Sequence, residues 1–312
     1  MSWHDGVYYA ATLLFKSPFR NLWPLVLAPA AALLISNRAA RLVPRTPLGS
    51  SAAMVLAAVP GLVALVVICQ AVDIDKVITW RGMVLHWLTP LAAAGLIAFA
   101  TLRAAWRQVL VDRLFAVSVP ASGRLASTAA QLGLRALEIP SESKNCFVAG
   151  VLRPTVFVSS GALARLSDAE LCAALHHERV HVRSRDTLVF VMLAFLRDLA
   201  PWGPSAGLEA FRAAREAAAD HAAAGSAGAL NLAAALLALA RPGHEAGGAA
   251  VLSMASGDSL RWRMQALLSA DAPASLSKGT WARLAAGLGL SAALLAWPFL
   301  QWQIMEWCCL HH

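Results

Sequence analysis

The most informative stretch of this 312-residue chain is residues 166–186, which read LSDAELCAALHHERVHVRSRD. Ser167, followed three residues later by Glu170, forms the capping-box pattern with which many helices begin. The pattern predicts a helix from residue 168 to about residue 182. Residues four apart on a helix lie on one face, with Cβ atoms about 5–6 Å apart. We therefore expect His177 and His181 to project side by side.

These histidines belong to an HExxH sequence, His177-Glu178-Arg179-Val180-His181. Two imidazoles one helical turn apart can bind one zinc ion at about 2.0–2.1 Å. Glu178 follows the first histidine directly, where its carboxylate can reach a zinc-activated water without binding the metal. Zinc lowers the pKa of such a water to about 7, so a carboxylate can take its proton. The motif predicts a zinc (Zn²⁺) site for peptide hydrolysis, with Glu178 as the general base.

A catalytic zinc ion needs a third protein ligand and one open position. Downstream, the sequence reads EAAAD from Glu216 to Asp220, an ExxxD pattern that places two acids on one helical face. We expect Glu216 to be the third ligand and Asp220 to accept a hydrogen bond from the outer nitrogen of a zinc histidine. HExxH alone occurs by chance, but a capped helix before it and a helical ExxxD after it favour a zinc site.

Other polar residues near these motifs are weaker candidates. His221, Arg212 and Arg215 could stabilise a developing oxyanion, although a solvated helix face explains each of them more simply. His176 is next to the HExxH motif but points away from its metal-facing side. None of the four is assigned a role from the sequence.

The chain as a whole is hydrophobic, with 58% apolar and only 14% charged residues. Soluble domains are nearer half apolar and a quarter charged, so a multi-pass membrane protein is favoured. Four apolar stretches are long enough, or nearly so, to cross about 30 Å of hydrocarbon as helices. Three lie in an N-terminal membrane region, 1–103, and one in a C-terminal region, 281–312; the expected spans are about 21–37, 52–70, 82–102 and 284–305.

Residues 104–280, between the third and last spans, are the region expected to fold as a water-facing domain. Short strands are predicted at 134–139, 145–149 and 155–158, next to the helices that carry the two motifs. Arginine-rich loops follow the first and third spans, which places this domain in the cytoplasm. The expected fold is mainly α, a multi-pass helical membrane protein with an α+β domain that contains a small sheet.

The charge distribution constrains the partners. The net charge is +8, from 26 basic and 18 acidic residues. The basic residues are dispersed, as expected of arginines that flank membrane spans and meet anionic lipid. We expect the lipid bilayer as a partner and no direct nucleic-acid binding, which requires a basic face with base-contacting side chains. The five cysteines include no C-x-x-C pair, so a zinc knuckle is excluded by spacing.

Several segments together resemble membrane metallopeptidase family 56, the zinc peptidases typified by the BlaR and MecR antibiotic-sensor transducers. They are NCFVAGVLRPTVFVSSG at 145–161, the stretch 166–186, Trp202 and the ExxxD pattern. The resemblance implies a gluzincin-like zinc peptidase domain, with a set of zinc ligands (His177, His181, Glu216), a general base (Glu178) and an outer-shell acid (Asp220). It also implies that the strands at 145–158 form an edge to which an extended substrate peptide adds as a strand.

The resemblance further implies regulatory proteolysis at a bacterial inner membrane. The expected substrate is a cytoplasmic transcriptional repressor or the peptidase itself, and a homodimer is left open. Only residues 306–312 follow the last predicted span, so we expect no penicillin-binding sensor there. Two alternatives stay open. One is a quality-control protease for membrane proteins, of the HtpX kind; the other is a non-catalytic zinc-binding membrane transducer, which the intact Glu178 disfavours.

Overall fold

The computed structural model describes residues 22–43, 47–73, 83–200, 205–240, 252–253 and 257–268, with a few positions between 282 and 289. Three long helices come first: α1 (Leu22–Ala40), α2 (Pro47–Asp73) and α3 (Met83–Val117). Seven further helices follow: α4 (Gly123–Gln131), α5 (Ser160–Leu163), α6 (Asp168–Arg183), α7 (Asp186–Leu199), α8 (Ala206–Ala227), α9 (Ala229–Leu239) and α10 (Gly257–Leu268). The strands are β1 (Val119–Pro120), β2 (Ala136–Ile139), β3 (Cys146–Ala149), β4 (Thr155–Ser159) and β5 (Leu252–Ser253). The prediction of a mainly helical protein with a small sheet is confirmed.

Two stretches within the described ranges are long and apolar enough to cross a membrane. They are Gly49–Val67 in α2, which is more than half buried by the protein, and Leu91–Val117 in α3, which is mostly exposed. These overlap the spans predicted at 52–70 and 82–102. The span predicted at 21–37 falls on α1, and the one predicted at 284–305 lies almost entirely outside the described residues.

Helix α3 continues without a break across the predicted domain boundary at residue 103 and ends at Val117. Arg103 and Arg107 end the uncharged run, but arginine is a good helix former and does not end the helix. The Arg107 guanidinium is buried and donates a hydrogen bond of 2.6 Å to Asp198 on α7. The second half of α3 therefore ties the apolar helix to the remainder of the fold.

The sheet has the strand order β1-β2-β4-β3-β5, with β2 and β4 parallel and the other pairs antiparallel. At its centre, Cys146 pairs with Val158 and Phe147 with Phe157. β3 and β4 are buried along their whole length, which explains why they read as apolar runs without alternation. The first predicted strand begins at Ala136, since the Leu134 amide instead bonds the Ala129 carbonyl and closes the end of α4.

Strand β5 occupies the outer edge of β3. Leu252 pairs with Val148 and Ser253 with Phe147, in antiparallel register. This is the edge at which we expect a substrate peptide to add. Over these two residues the edge is covered by a segment of the chain itself.

Helix α2 packs directly on the helices that surround the ExxxD motif. Ala53 and Ala57 of α2 share an apolar cluster with side chains of α7 and α8, namely Phe190, Leu193, Leu208 and Phe211. The approach is close at two glycines: a Cβ on Gly61 would overlap the Leu196 carbonyl, and one on Gly207 would lie 2.7 Å from the Ala57 amide nitrogen. An apolar candidate span thus supports the helix that presents Glu216.

Candidate metal centre

Helix α6 brings the HExxH side chains into the protein interior. It begins with the predicted capping box: the Ser167 hydroxyl accepts from the Glu170 amide, and the Glu170 carboxylate accepts from the Ser167 amide at 2.7 Å. The helix ends at Arg183, one residue beyond the predicted end. His177, Glu178 and His181 are at most 1% exposed. The three groups therefore lie in a water-poor environment in which electrostatic interactions are strong.

The two imidazoles and the Glu216 carboxylate converge on one point. The Nε2 atoms of His177 and His181 lie 3.2 Å apart. One Glu216 oxygen lies 3.4 Å from Nε2 of His177, and the other lies 3.6 Å from Nε2 of His181. Two nitrogens bound to a tetrahedral zinc ion at about 2.0–2.1 Å would be about 3.4 Å apart. This buried group could hold a metal ion.

The outer nitrogens of both histidines face carboxylates. Nδ1 of His177 lies 3.0 Å from Asp220, and Nδ1 of His181 lies 2.7 Å from Asp186. A carboxylate accepts from an N–H group, so it favours the tautomer that carries the proton on Nδ1. Both Nε2 lone pairs then point at the same place, where they repel one another unless a cation is present.

Two buried or half-buried arginines hold these acids. Arg263 on α10 donates to both Asp220 oxygens, at 2.7 and 2.6 Å, and its third nitrogen lies 2.9 Å from Glu216. Arg215 on α8 donates from Nε to Asp186 at 3.0 Å. Each histidine therefore faces a carboxylate, and that carboxylate in turn accepts a hydrogen bond from an arginine.

The net charge of the centre is negative. Four carboxylates face two guanidinium groups, which leaves a charge of minus two when both imidazoles are neutral: Glu178, Asp186, Glu216 and Asp220 against Arg215 and Arg263. A divalent cation balances this charge. The donor set of two imidazoles and one carboxylate is also one that zinc prefers.

The pKa values reflect the same imbalance. Burial alone lowers the pKa of His177, but the neighbouring Asp220 and Glu216 outweigh it and raise the pKa to about 9. For Glu216, burial raises the pKa, yet Arg263 and the two histidines hold it well below its usual range. The centre thus favours an ionised Glu216 and binds a proton on His177 where a metal cation could supply the positive charge.

Glu178 lies beside the ligand set without being part of it. Neither of its carboxylate oxygens has a hydrogen-bond partner among the described residues. Burial raises the pKa of Glu178, and the positive potential of His177 and His181 only partly offsets this effect. A buried carboxylate with open acceptor positions fits a group that takes a proton from water next to the metal.

The structure also supplies two polar partners that the sequence did not indicate. An acid just before a helix ordinarily serves as its N-cap, but the N-cap of α7 is Arg185, with a left-handed φ of 52°, and Asp186 faces His181 instead. Its position five residues after His181 was the one available signal. Arg263 has no local signal, because its partner Asp220 lies 43 residues away.

The four weaker sequence candidates differ in where they lie relative to the centre. Arg215 belongs to the centre through Asp186, whereas Arg212 lies 3.8 Å from Glu209 on the outer side of α8. His221 is exposed, and His176 is partly exposed on the far side of α6. Trp202 lies outside the described residues.

Comparison with known families identifies a match. A family model described as BlaR1 peptidase M56 matches residues 16–237, more than two thirds of the chain. Searches of curated proteins and of solved structures found no significant match. The matched region contains α6 and α8, and it ends before α10 and Arg263.

Proposed function

The chain belongs to the BlaR1 peptidase M56 family, which makes it a membrane-associated metallopeptidase, and we propose that it is an integral-membrane zinc endopeptidase. The observation that carries the proposal is the convergence of two buried imidazoles and the Glu216 carboxylate beside Glu178, whose oxygens have no partner in the described part of the chain. Those residues supply both a ligand set and a base.

His177, His181 and Glu216 would hold the zinc ion. Bound there, zinc supplies Lewis acidity, which lowers the pKa of water and polarises a peptide carbonyl. Asp220 orients His177 through Nδ1, and Arg263 fixes Asp220 through two hydrogen bonds. The ligands are therefore held in place by neighbours that do not themselves bind the metal.

Glu178 moves the proton. Its carboxylate takes a proton from the attacking water while the water oxygen bonds to the peptide carbonyl carbon. It then delivers that proton to the amide nitrogen as the C–N bond breaks, which yields a carboxylic acid and an amine. The buried position of Glu178, with neither oxygen paired among the described residues, supports this role, because both oxygens are open to accept and release a proton.

The substrate would bind as an extended strand at the edge of β3. The pairing of β5 with Phe147 and Val148 supports this proposal, because it demonstrates that the edge accepts an antiparallel partner. An added strand would gain main-chain hydrogen bonds there, and side-chain contacts would supply specificity. A substrate strand must either extend beyond β5 or replace it.

We propose further that the proteolysis is regulatory and faces the cytoplasm, with a transcriptional repressor or the chain itself as substrate. The resemblance to sensor-transducer peptidases supports this assignment. The competing function is quality control of membrane proteins. Comparing newly formed protein termini in cells that express wild type or Glu178→Gln distinguishes the two, since one or two cleaved regulators support regulation and many damaged membrane proteins support quality control.

The catalytic proposal is tested with Glu178→Gln in the purified full-length chain. Proteolysis should fall by about 10²–10⁴-fold, the usual contribution of a general base, while zinc stays bound. Glu170→Gln is the matched control, because glutamine also completes a capping box in the same helix. His177→Ala should lose the zinc. Unchanged proteolysis in Glu178→Gln, or zinc retained in His177→Ala, would contradict the proposal.

A further inference from the structure

Asp186 is a buried acid to which the proposed reaction assigns no role. It lies in the first turn of α7 and is 2% exposed. Its Oδ2 atom lies 2.7 Å from Nδ1 of His181 and 3.0 Å from Nε of Arg215. The same oxygen therefore lies between an imidazole and a guanidinium group.

We propose that Asp186 and Arg215 form a positioning pair for His181, which fixes the ring so that its Nε2 atom faces the metal. This inference rests on the proposed zinc site. It assigns a role to two residues outside the HExxH and ExxxD motifs. His181 is the second zinc histidine, so its orientation decides whether the ligand set closes.

The backbone between α6 and α7 is shaped for this contact. Only Ser184 and Arg185 separate the two helices, and Arg185 adopts a left-handed conformation that is rare outside glycine. Such a conformation is strained and persists where the surrounding structure holds it. Its effect is to reverse the chain so that Asp186 lies against the ring of a histidine only five residues earlier.

Arg215 supplies the second half of the pair. It precedes Glu216 on α8, so one helix delivers both a proposed ligand and the group that anchors the carboxylate behind the other ligand. The guanidinium group holds the Asp186 carboxylate and limits its rotation, which aims the same oxygen at Nδ1 of His181. The arrangement repeats that of His177, Asp220 and Arg263.

Asp198, in the same helix, provides a comparison for Asp186. It is as buried as Asp186 and also bonds to arginines, Arg107 at 2.6 Å and Arg197 at 2.7 Å. Its hydrogen bonds and ion pairs in the described part of the chain include no histidine. Asp198→Asn is therefore a matched control for Asp186→Asn.

The test measures zinc affinity of the purified full-length protein in detergent, by competition with a chromophoric chelator. Asp186→Asn should raise the zinc Kd about 10–100-fold, the usual effect of removing such an outer partner. Asp186→Glu should recover part of the affinity, and Asp198→Asn should leave it at the wild-type value. The visible spectrum of the cobalt(II)-substituted protein reports ligand geometry, so it should change in Asp186→Asn and not in Asp198→Asn.

Arg215→Gln provides a second test that leaves Asp186 in place, with Arg197→Gln as its control. We expect a several-fold rise in the zinc Kd for Arg215→Gln only. If Asp186→Asn fails to fold, the Asp186→Glu and Arg215→Gln measurements decide the question. Wild-type zinc affinity in the folded variants would overturn this inference alone. A wild-type chain that binds no zinc would overturn the proposed function with it.

Discussion

The two ends of helix α7 each carry a buried aspartate that is held by arginine, yet they serve different parts of the molecule. At the first end, Asp186 faces His181 and Arg215. At the second end, Asp198 faces Arg107 from α3 and Arg197 from α7 itself, with Arg103 at 3.8 Å. Burial and an ion pair are common to both, so neither feature identifies a functional residue. What differs is that Asp186 also contacts an imidazole, that of His181, whose other nitrogen faces His177 and Glu216.

The balance of acidic and basic side chains also differs between the two ends of α7. Around Asp186 and its neighbours the acids outnumber the arginines, so a cation stabilises the centre. Around Asp198, one carboxylate meets three arginines, and the cluster needs no metal. Breaking a buried ion pair is destabilising because it leaves a charge uncompensated. The first end is thus organised to receive a cation, and the second to join α3 to α7.

The largest expected effect comes from removing one buried arginine from the metal centre and one from the Asp198 cluster. Arg263→Met should destabilise the metal-free protein by about 3–5 kcal/mol, because Asp220 and Glu216 lose their buried guanidinium partner. Arg107→Met should cost less, because Asp198 keeps Arg197 and Arg103. Zinc should restore most of the loss in Arg263→Met, since the cation then neutralises Glu216 and Asp220. Zinc should leave the destabilisation of Arg107→Met relative to wild type unchanged. Thermal unfolding in detergent with and without saturating zinc measures this, and an equal response to zinc in both variants would remove the distinction.

A smaller effect is expected where α2 meets the second end of α7. In Gly61→Ala the new methyl group would overlap the Leu196 carbonyl, so the helices must separate. Overpacking of this kind destabilises by about 1–3 kcal/mol. Zinc affinity should not change, because Leu196 lies ten residues beyond Asp186 on α7 and no proposed ligand takes part in the contact. Gly95→Ala in α3 is the control, since its Cβ would meet nothing within 4 Å; a comparable loss in that variant would contradict the packing explanation.

The most gradual effect is the pH dependence of the chelator-treated protein. The pKa of His177 is raised from its ordinary 6.5 to about 9, so protonation of His177 contributes stability that is complete below pH 6.5. This contribution is lost as the pH rises through about 9. Zinc binding requires the neutral imidazole, so the zinc-loaded protein should not show the loss. The difference in Tm between the two forms should widen across this range; a chelated protein whose Tm is constant or rises would contradict the assignment.

Local patterns in the sequence predicted most of the helices around the centre. The capping box at Ser167 placed the start of α6, and the spacing of His177 and His181 placed both rings on one face. The ExxxD pattern likewise put Glu216 and Asp220 on one side of α8. These features depend on helix geometry alone, which is why a single sequence is sufficient to predict them.

Contacts between distant segments were not predictable in this way. Nothing near Arg263 indicates that it reaches Asp220, and nothing near Arg107 indicates that it pairs with Asp198, 91 residues away. The role of Asp186 was not predictable for a different reason. An acid between two helices ordinarily caps the second one. Here the left-handed turn at Arg185 places Asp186 against His181 of the preceding helix. The number of membrane spans and the gluzincin arrangement stay predictions.

The sequence separations within the centre set an order in which it is completed during synthesis on the ribosome. His181 and Asp186 are five residues apart, so both are present in the growing chain almost together. Asp220 waits for Arg263, which is made 43 residues later. A nascent chain that ends between Asp220 and Arg263 contains all three proposed ligands, but Glu216 still lacks its guanidinium partner. The three proposed ligands are therefore synthesised before the arginine that neutralises the acids around them.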